Sequence, residues 1–198
     1  MGYFPIMLDV GRRSVALIGT GAMARQKLQA LALAEARVEI FDTMLDTTVA
    51  PLIGGRVSYT PRFPTAEDLK NRVLVIAAHH DPAVNRAVKR VADQMGVLIN
   101  VVDTPAWSEV FMVSQLRRGD LVIGVSTSGR GPGLARRIRE QLEPLFDDGW
   151  AERLKAFSVT RAQIRQRQVG HMRQEALAAL EEQTMAAWHE RLRKEGGR

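Results

Sequence analysis

Two glycines follow a short apolar run near the start of the chain, in the segment Gly-Thr-Gly-Ala-Met-Ala at positions 19–24. Gly19 allows a sharp turn off a strand, and Gly21 has no side chain to keep a phosphate group away from the backbone. The amides of Ala22 and Met23 then open a helix whose dipole favours an anion. This spacing fits the dinucleotide-binding pattern G-x-G-x-x-G/A and predicts a pyrophosphate site.

An acid closes the next apolar run, about 20 residues after the glycines. Asp42 has the position at which an acid binds ribose hydroxyls and repels a 2′-phosphate, and no arginine follows it closely. The pattern therefore favours NAD over NADP as cofactor, with an ordinary turn aspartate as the alternative. We predict that Thr43 and Met44 line the adenine side.

Two histidines follow a continuous apolar run that ends at Ala78. Ala78 and His79 are predicted to line the cofactor site, and an exposed loop position is an equal alternative for His79. Adjacent side chains of an extended chain point in opposite directions, so His79 and His80 are not expected to share a metal ion. We expect no dedicated metal site.

A second acid, Asp103, ends another predicted parallel strand, at the edge where open α/β sheets bind ligands. A carboxylate there can exchange a proton with a bound substrate, although Pro105 makes a plain turn residue equally consistent. Asn100 lies on the same strand and is a candidate substrate contact.

The loop from Ser126 to Gly133 combines hydroxyls, glycines and an arginine before a predicted helix, which suits an anionic group. Its candidate substrate-binding residues are Ser126, Thr127, Ser128 and Arg130. The sequence has no G-x-S-x-G elbow and no lysine at P-loop spacing, so a hydrolase or an NTPase has little support.

The elements that position these residues alternate between strand and helix, which predicts a doubly wound parallel sheet in an α/β protein. A hairpin, a basic helix and a continuous helical region follow, and the boundary is expected near residues 110–114. The predicted strands are 5–10, 14–18, 38–42, 57–60, 73–78 and 97–103. The predicted helices cover about 22–34, 82–95, 134–145 and 150–195, and a capping box at 65–68 predicts a further short helix. The predicted hairpin pairs 110–116 with 121–127.

Composition limits the classes of protein that remain. The 198 residues contain no cysteine, which removes disulfides, thiolate metal sites and cysteine nucleophiles. No apolar run spans a bilayer and the N-terminus lacks a signal-peptide layout, so we expect a cytoplasmic protein without membrane contact. The net charge of +6 comes mostly from arginines in the second half. They fit a polyanionic small molecule or solvated helix faces, and sparse aromatics argue against nucleic acid.

Five stretches, in order, resemble the precorrin-2 dehydrogenase / sirohydrochlorin ferrochelatase family, which includes the N-terminal region of siroheme synthase. They are Phe4-Pro-Ile-Met-Leu-Asp-Val, Val15-Ala-Leu-Ile-Gly-Thr-Gly-Ala-Met-Ala-Arg-Gln-Lys27, Ile76-Ala-Ala-His-His-Asp-Pro-Ala-Val-Asn85, Asn100-Val-Val-Asp103 and Val125-Ser-Thr-Ser-Gly-Arg-Gly-Pro-Gly-Leu-Ala-Arg136.

The resemblance implies NAD-dependent oxidation of precorrin-2 to sirohydrochlorin, and in some members insertion of ferrous iron to give siroheme. It also implies that Asp103 acts as acid/base, that arginines bind the carboxylates of the tetrapyrrole, and that two chains form a homodimer. The implied domains are a Rossmann-like NAD-binding domain at 1–112, a dimerisation and substrate segment at 113–146, and a helical C-terminal domain at 147–198. The methyltransferase module of full-length siroheme synthase is expected to be absent.

Two alternatives remain open at this point. One is a non-enzymatic NAD-responsive redox sensor, against which the lack of a helix-turn-helix signal counts. The other is a tetrapyrrole metallochelatase without dehydrogenase activity.

Overall fold

A computed structural model describes residues 2–196 of the chain. Met1 and residues 197–198, which the predicted ranges 1–112 and 147–198 include, lie outside the described residues. The chain forms two compact units whose boundary falls between Met112 and Val113.

The first unit contains a five-stranded parallel sheet with the strand order β3-β2-β1-β4-β5. Its strands are β1 (Ser14–Ile18), β2 (Arg37–Phe41), β3 (Val57–Thr60), β4 (Leu74–Ala77) and β5 (Ile99–Val101). Its helices are α1 (Ala22–Leu33), α2 (Ala66–Leu69) and α3 (Pro82–Met95), with single 3₁₀ turns at Ala50–Leu52 and Pro105–Trp107. The predicted α/β class with a parallel sheet is confirmed.

Strand β1 is the centre of this sheet because its residues are buried on both faces. Val15 and Leu17 belong to a core cluster that includes Leu28 of α1. Ala16 and Ile18 belong to a second cluster, which includes residues of α3 such as Val88. Since successive side chains of a strand point to opposite faces, α1 and α3 cover opposite faces of the sheet.

The order of strands creates a crevice at the carboxyl ends of β1 and β4. From β1 the chain continues through α1 to β2 on one side, whereas β4 lies on the other side and is followed by α3. The helices that follow β1 and β4 cover opposite faces of the sheet, so a gap is left at the carboxyl ends of these two strands. Open α/β sheets bind ligands in such a gap.

Two helices begin as their sequence signals predict, and α3 also ends as predicted. A capping box opens α2, in which the Thr65 hydroxyl accepts from the Asp68 amide while the Asp68 carboxylate accepts from the Thr65 amide. Helix α3 has Asp81 as its N-cap and Pro82 in its first turn, and it ends at Gly96 with a φ of 64°.

Two strand predictions in this unit need correction. Residues 5–10 form no strand. Val10 is instead buried in the core cluster that includes Leu28, Leu8 packs against that cluster, and Pro5 has no amide hydrogen to donate. The strand predicted at 97–103 is limited to β5. The Ser108 hydroxyl accepts from the Val101 amide at 2.9 Å and lies 3.0 Å from the Val101 carbonyl, so a turn ends the strand there.

The second unit begins with an antiparallel hairpin of β6 (Ser114–Arg118) and β7 (Leu121–Val125). Helix α4 (Pro132–Leu142) follows, then a 3₁₀ turn at Glu143–Leu145, α5 (Trp150–Arg167) and α6 (Gly170–Gly196). The helix predicted to be continuous over 150–195 is therefore interrupted, because Gly170 has a φ of +59° and residues 168–169 are not helical.

Three aromatic rings hold α5 and α6 together. The centroids of Phe146 and Trp188 lie 5.0 Å apart, and those of Trp150 and Trp188 lie 5.5 Å apart in an edge-to-face arrangement. The Trp188 indole N–H donates to the Leu145 carbonyl at 2.9 Å. These contacts pack the start of α5 against α6.

Candidate active site

The first glycine of the turn fits only as glycine. Gly19 has a φ of +111°, and a Cβ built on it would lie 2.6 Å from the Ala78 carbonyl oxygen and 2.9 Å from the His79 amide nitrogen. Its own amide donates to the Phe41 carbonyl at 3.0 Å. The turn thus brings the ends of β1, β2 and β4 into direct contact.

The second glycine leaves open space in front of α1. Gly21 is the N-cap of α1, no side chain caps this helix, and a Cβ at Gly21 would meet nothing within 4 Å. Ala22 and Met23 are exposed in the first turn, whereas Ala24 is fully buried against the sheet. An uncapped helix start with this open space in front of it fits the pyrophosphate of a dinucleotide.

The carboxylate of Asp42 is buried and held by several neighbours. Its Oδ1 accepts from the Met44 amide at 3.3 Å, and its Oδ2 lies 3.3 Å from the Thr20 hydroxyl. The Thr20 hydroxyl also donates to the Met44 carbonyl at 2.9 Å, and the Tyr59 hydroxyl donates to the Asp42 carbonyl at 2.9 Å. A carboxylate has about four acceptor positions, so sites remain for ribose hydroxyls.

Three residues close to the Asp42 carboxylate bear on cofactor binding: Thr43, Met44 and Tyr59. Thr43 and Met44 are exposed beside Asp42, as a cofactor-lining role requires. Burial raises the pKa of Tyr59, and the negative charge of Asp42 raises it further. Tyr59 therefore remains a neutral donor at physiological pH.

His79 is buried and is not an exposed loop residue. Its side chain is 6% exposed, and its Nε2 lies 3.8 Å from Asp42 Oδ1. Phe63 packs against its ring edge-to-face at 5.4 Å between centroids. The rings of His79 and His80 lie 4.1 Å apart, so the expected opposite orientation is wrong, because β4 has already ended at Ala77.

At the end of β5, Asp103 is exposed in a left-handed backbone conformation with a φ of 57°. A non-glycine residue with positive φ is uncommon and often marks a functional position. Burial lowers the pKa of the nearby Lys27 on α1, and the charge of Asp103 acts against that shift. An exposed carboxylate and a half-buried amine therefore share this edge of the first unit.

On β5 itself, Asn100 is buried with one polar atom unsatisfied. Its Nδ2 donates to the Val110 carbonyl at 2.8 Å, while its Oδ1 has no hydrogen-bond partner in the described part of the chain. A buried acceptor without a partner costs free energy unless a ligand or water supplies a donor.

The candidate substrate loop lies in the second unit. The Ser126 hydroxyl accepts from the Ser128 amide at 3.1 Å, and the Thr127 hydroxyl accepts from the Gly131 amide at 3.1 Å. Ser128 has a φ of 53°, and Arg130 is exposed. Helix α4 begins directly after this loop without a side-chain cap, so its first turn can receive an anionic group.

The predicted residues of the first unit lie at the carboxyl edge of the sheet, at the ends of β1, β2, β4 and β5. Three polar residues of this edge were not singled out from the sequence. Thr20 binds Asp42 and Met44, Asn85 exchanges two hydrogen bonds with the His79 backbone, and Lys27 lies near Asp103. Asn85 could have been identified from the sequence as a polar residue on the buried face of a helix.

Among residues 2–196, no group of three or more histidine or acidic side chains is arranged to hold a metal ion. Within the same range, no helix is both long and apolar enough to cross a membrane.

This sheet, its glycine turn and the acid after β2 define a Rossmann-like, NAD(P)-binding class of protein. The family described as "Putative NAD(P)-binding" matches residues 6–114, and "Sirohaem biosynthesis protein central" matches residues 118–144. The chain belongs to this NAD(P)-binding family.

Similar proteins confirm the resemblance to siroheme-forming enzymes. Siroheme synthase of Nitrosomonas eutropha is 33% identical over 168 residues, which cover 84% of this chain and 35% of that protein. Siroheme synthase 1 of Serratia proteamaculans is 35% identical over the same share of each chain. The chain thus spans about a third of the length of these relatives.

A solved structure shows the same fold along nearly the whole chain. It is titled "SirC, precorrin-2 dehydrogenase", and it superposes with a TM-score of 0.77 at 22% sequence identity. The match covers 97% of this chain and 98% of that one.

Proposed function

We propose that this chain oxidises precorrin-2 to sirohydrochlorin with NAD as the hydride acceptor, and that it serves siroheme biosynthesis. The observation that carries the proposal is the carboxyl edge of the sheet, where an open helix start, a buried acid and an exposed strained acid lie together. The names of the siroheme synthases and of the precorrin-2 dehydrogenase support the choice of substrate.

The residues of the first unit divide into two tasks. Gly21, Ala22 and Met23 hold the pyrophosphate at the start of α1, and Asp42 binds the ribose hydroxyls. NAD, when bound, supplies a nicotinamide ring that accepts a hydride. The carboxylate of Asp42, buried directly after β2, supports the preference for NAD over NADP, because a carboxylate at that position repels a 2′-phosphate.

We assign the proton of the reaction to Asp103. Oxidation of precorrin-2 removes a hydride and a proton, and the carboxylate of Asp103 accepts the proton. Its exposure lets a substrate reach it, and Lys27 of α1 lies nearby at the same edge.

Substrate carboxylates are assigned to the loop before α4, and a substrate N–H group is assigned to Asn100. Arg130 is exposed and can bind a carboxylate with two parallel hydrogen bonds. Ser126, Thr127 and Ser128 supply hydroxyls, and the unpaired Asn100 Oδ1 accepts from a substrate N–H group.

An anaerobic assay tests the proposed reaction. Purified protein is mixed with precorrin-2 and NAD⁺, and the absorbance of NADH and of sirohydrochlorin is followed together. Equal formation of both products supports the proposal, whereas conversion of precorrin-2 that does not depend on NAD⁺ contradicts it.

Insertion of ferrous iron into sirohydrochlorin is a second proposed activity, supported by the match to siroheme synthases. The same assay tests it after addition of Fe²⁺. Formation of the siroheme spectrum supports the activity, and unchanged sirohydrochlorin contradicts it.

We also propose a cytoplasmic homodimer that forms through residues 113–146. Leu134 and Ile138 support this proposal, since they lie one turn apart on α4 and are 58% and 39% exposed. Analytical ultracentrifugation of the wild type and of Leu134→Glu tests it. A dimer that the variant shifts to monomer is expected, and a monomeric wild type contradicts the proposal.

A further inference from the structure

The ring of His79 is fixed by residues at the start of α3. Its Nδ1 accepts a hydrogen bond from the Asp81 amide at 3.0 Å. The His79 amide donates to Asn85 Oδ1 at 3.1 Å, and Asn85 Nδ2 donates to the His79 carbonyl at 2.8 Å. Asp81 is in turn held as the N-cap of α3 through the Ala83 amide at 2.8 Å. Both the backbone and the ring of His79 therefore have a defined orientation.

The hydrogen bond from Asp81 also determines where the ring carries its hydrogen. A nitrogen that accepts a hydrogen bond carries no hydrogen, so neutral His79 has its N–H at Nε2. That Nε2 lies 3.8 Å from Asp42 Oδ1, and the two side chains are 6% and 8% exposed. The distance is longer than a hydrogen bond, and the contact is electrostatic between two groups that water scarcely reaches.

We propose that His79 is a positioning residue that fixes the carboxylate of Asp42 and thereby sets the preference for NAD over NADP. The inference rests on the proposed NAD binding. The Met44 amide contacts Asp42 Oδ1 and the Thr20 hydroxyl contacts Asp42 Oδ2, so both oxygens of the carboxylate are held by neighbours besides His79. A carboxylate held in this way stays in place for the ribose hydroxyls and cannot move aside for a 2′-phosphate.

Two substitutions of the same residue separate this role from a purely structural one. His79→Asn keeps an acceptor for the Asp81 amide, but its side chain is too short to bring an N–H group to Asp42. His79→Gln is longer and carries an amide N–H group at about the position of Nε2. The two variants therefore differ in the contact with Asp42.

Calorimetric titration with NAD⁺ and with NADP⁺ measures the effect. We expect His79→Asn to raise the Kd for NAD⁺ about three- to tenfold. We also expect it to lower the ratio of the Kd for NADP⁺ to the Kd for NAD⁺. His79→Gln is expected to keep that ratio within about twofold of the wild type. An unchanged ratio in His79→Asn overturns the inference. An equal fall of the ratio in His79→Asn and His79→Gln overturns it as well.

A second measurement on the cofactor-free wild type is independent of activity. Long-range ¹H–¹⁵N NMR of the histidine side chains is expected to show His79 with its hydrogen on Nε2. A hydrogen on Nδ1 overturns the inference, whatever the titrations give.

The outcomes also separate this inference from the proposed function. Precorrin-2 oxidation by the wild type together with unchanged discrimination in His79→Asn overturns only the role of His79. A wild type that binds neither dinucleotide overturns both.

Discussion

Alanine at Gly19 and alanine at Gly21 are expected to damage different properties of the protein. At Gly19 the new Cβ would lie 2.6 Å from the Ala78 carbonyl oxygen, and the φ of +111° is strained for any residue with a side chain. Backbone strain costs about 1–3 kcal/mol. Overpacking against a rigid backbone costs about the same again. We therefore expect Gly19→Ala to lower the free energy of unfolding by roughly 2–6 kcal/mol.

The same change at Gly21 leaves the fold intact and weakens cofactor binding. Its φ of −71° suits alanine, and the Cβ would meet nothing within 4 Å. Loss of a favourable N-cap costs about 1 kcal/mol or less. The methyl group would instead occupy the space assigned to the pyrophosphate, where each lost charged hydrogen bond raises the Kd for NAD⁺ about 10- to 100-fold.

Urea unfolding followed by circular dichroism and calorimetric titration with NAD⁺ measure the two effects. Gly2→Ala is a control outside the helices and strands, because its Cβ also meets nothing within 4 Å. We expect that control to keep both properties. Unfolding of Gly19→Ala at the urea concentration of the wild type would contradict the first expectation. Binding of NAD⁺ by Gly21→Ala as tightly as by the wild type would contradict the second.

Three further changes test other parts of the molecule. Asp103→Asn is expected to reduce anaerobic precorrin-2 oxidation by at least about 100-fold while the calorimetric Kd for NAD⁺ stays unchanged, and a fully active variant would disprove the proton role. Trp188→Ala removes ring contacts with Phe146 and Trp150, so the unfolding free energy should fall by about 2–3 kcal/mol in urea titrations. The Arg62 guanidinium holds the pKa of Asp68 far below its usual range, so this carboxylate stabilises the fold above its unfolded pKa of about 3.9. The difference in unfolding midpoint between the wild type and Asp68→Asn should therefore be largest at neutral pH and shrink below about pH 4.

Local signals were enough to predict most of the first unit. Helix α3 has the bounds that its Asp-Pro start and Gly96 end indicate, and the glycine turn correctly separates β1 from α1. Where tertiary contacts decide, local signals failed. Residues 5–10 have strand-forming composition, but their apolar side chains Leu8 and Val10 pack on the core without joining the sheet. The end of β5 depends on the distant Ser108 hydroxyl.

The candidate site shows the same division between local and tertiary information. The glycines and the acid Asp42 have a fixed spacing in the sequence, so they were identified together. The burial of His79 depends on Asn85 and Phe63, and the proximity of Lys27 to Asp103 depends on how α1 packs against the sheet. Pairs of this kind have no signature in sequence spacing, and only the folded chain reveals them.

The function proposed for this chain couples precorrin-2 oxidation to NAD reduction. The most direct measurement is the anaerobic stoichiometry of NADH and sirohydrochlorin formed from precorrin-2 by the purified protein. One NADH for each sirohydrochlorin is the expected result. Sirohydrochlorin formed without NADH, or no turnover by protein that binds NAD⁺, would contradict the account.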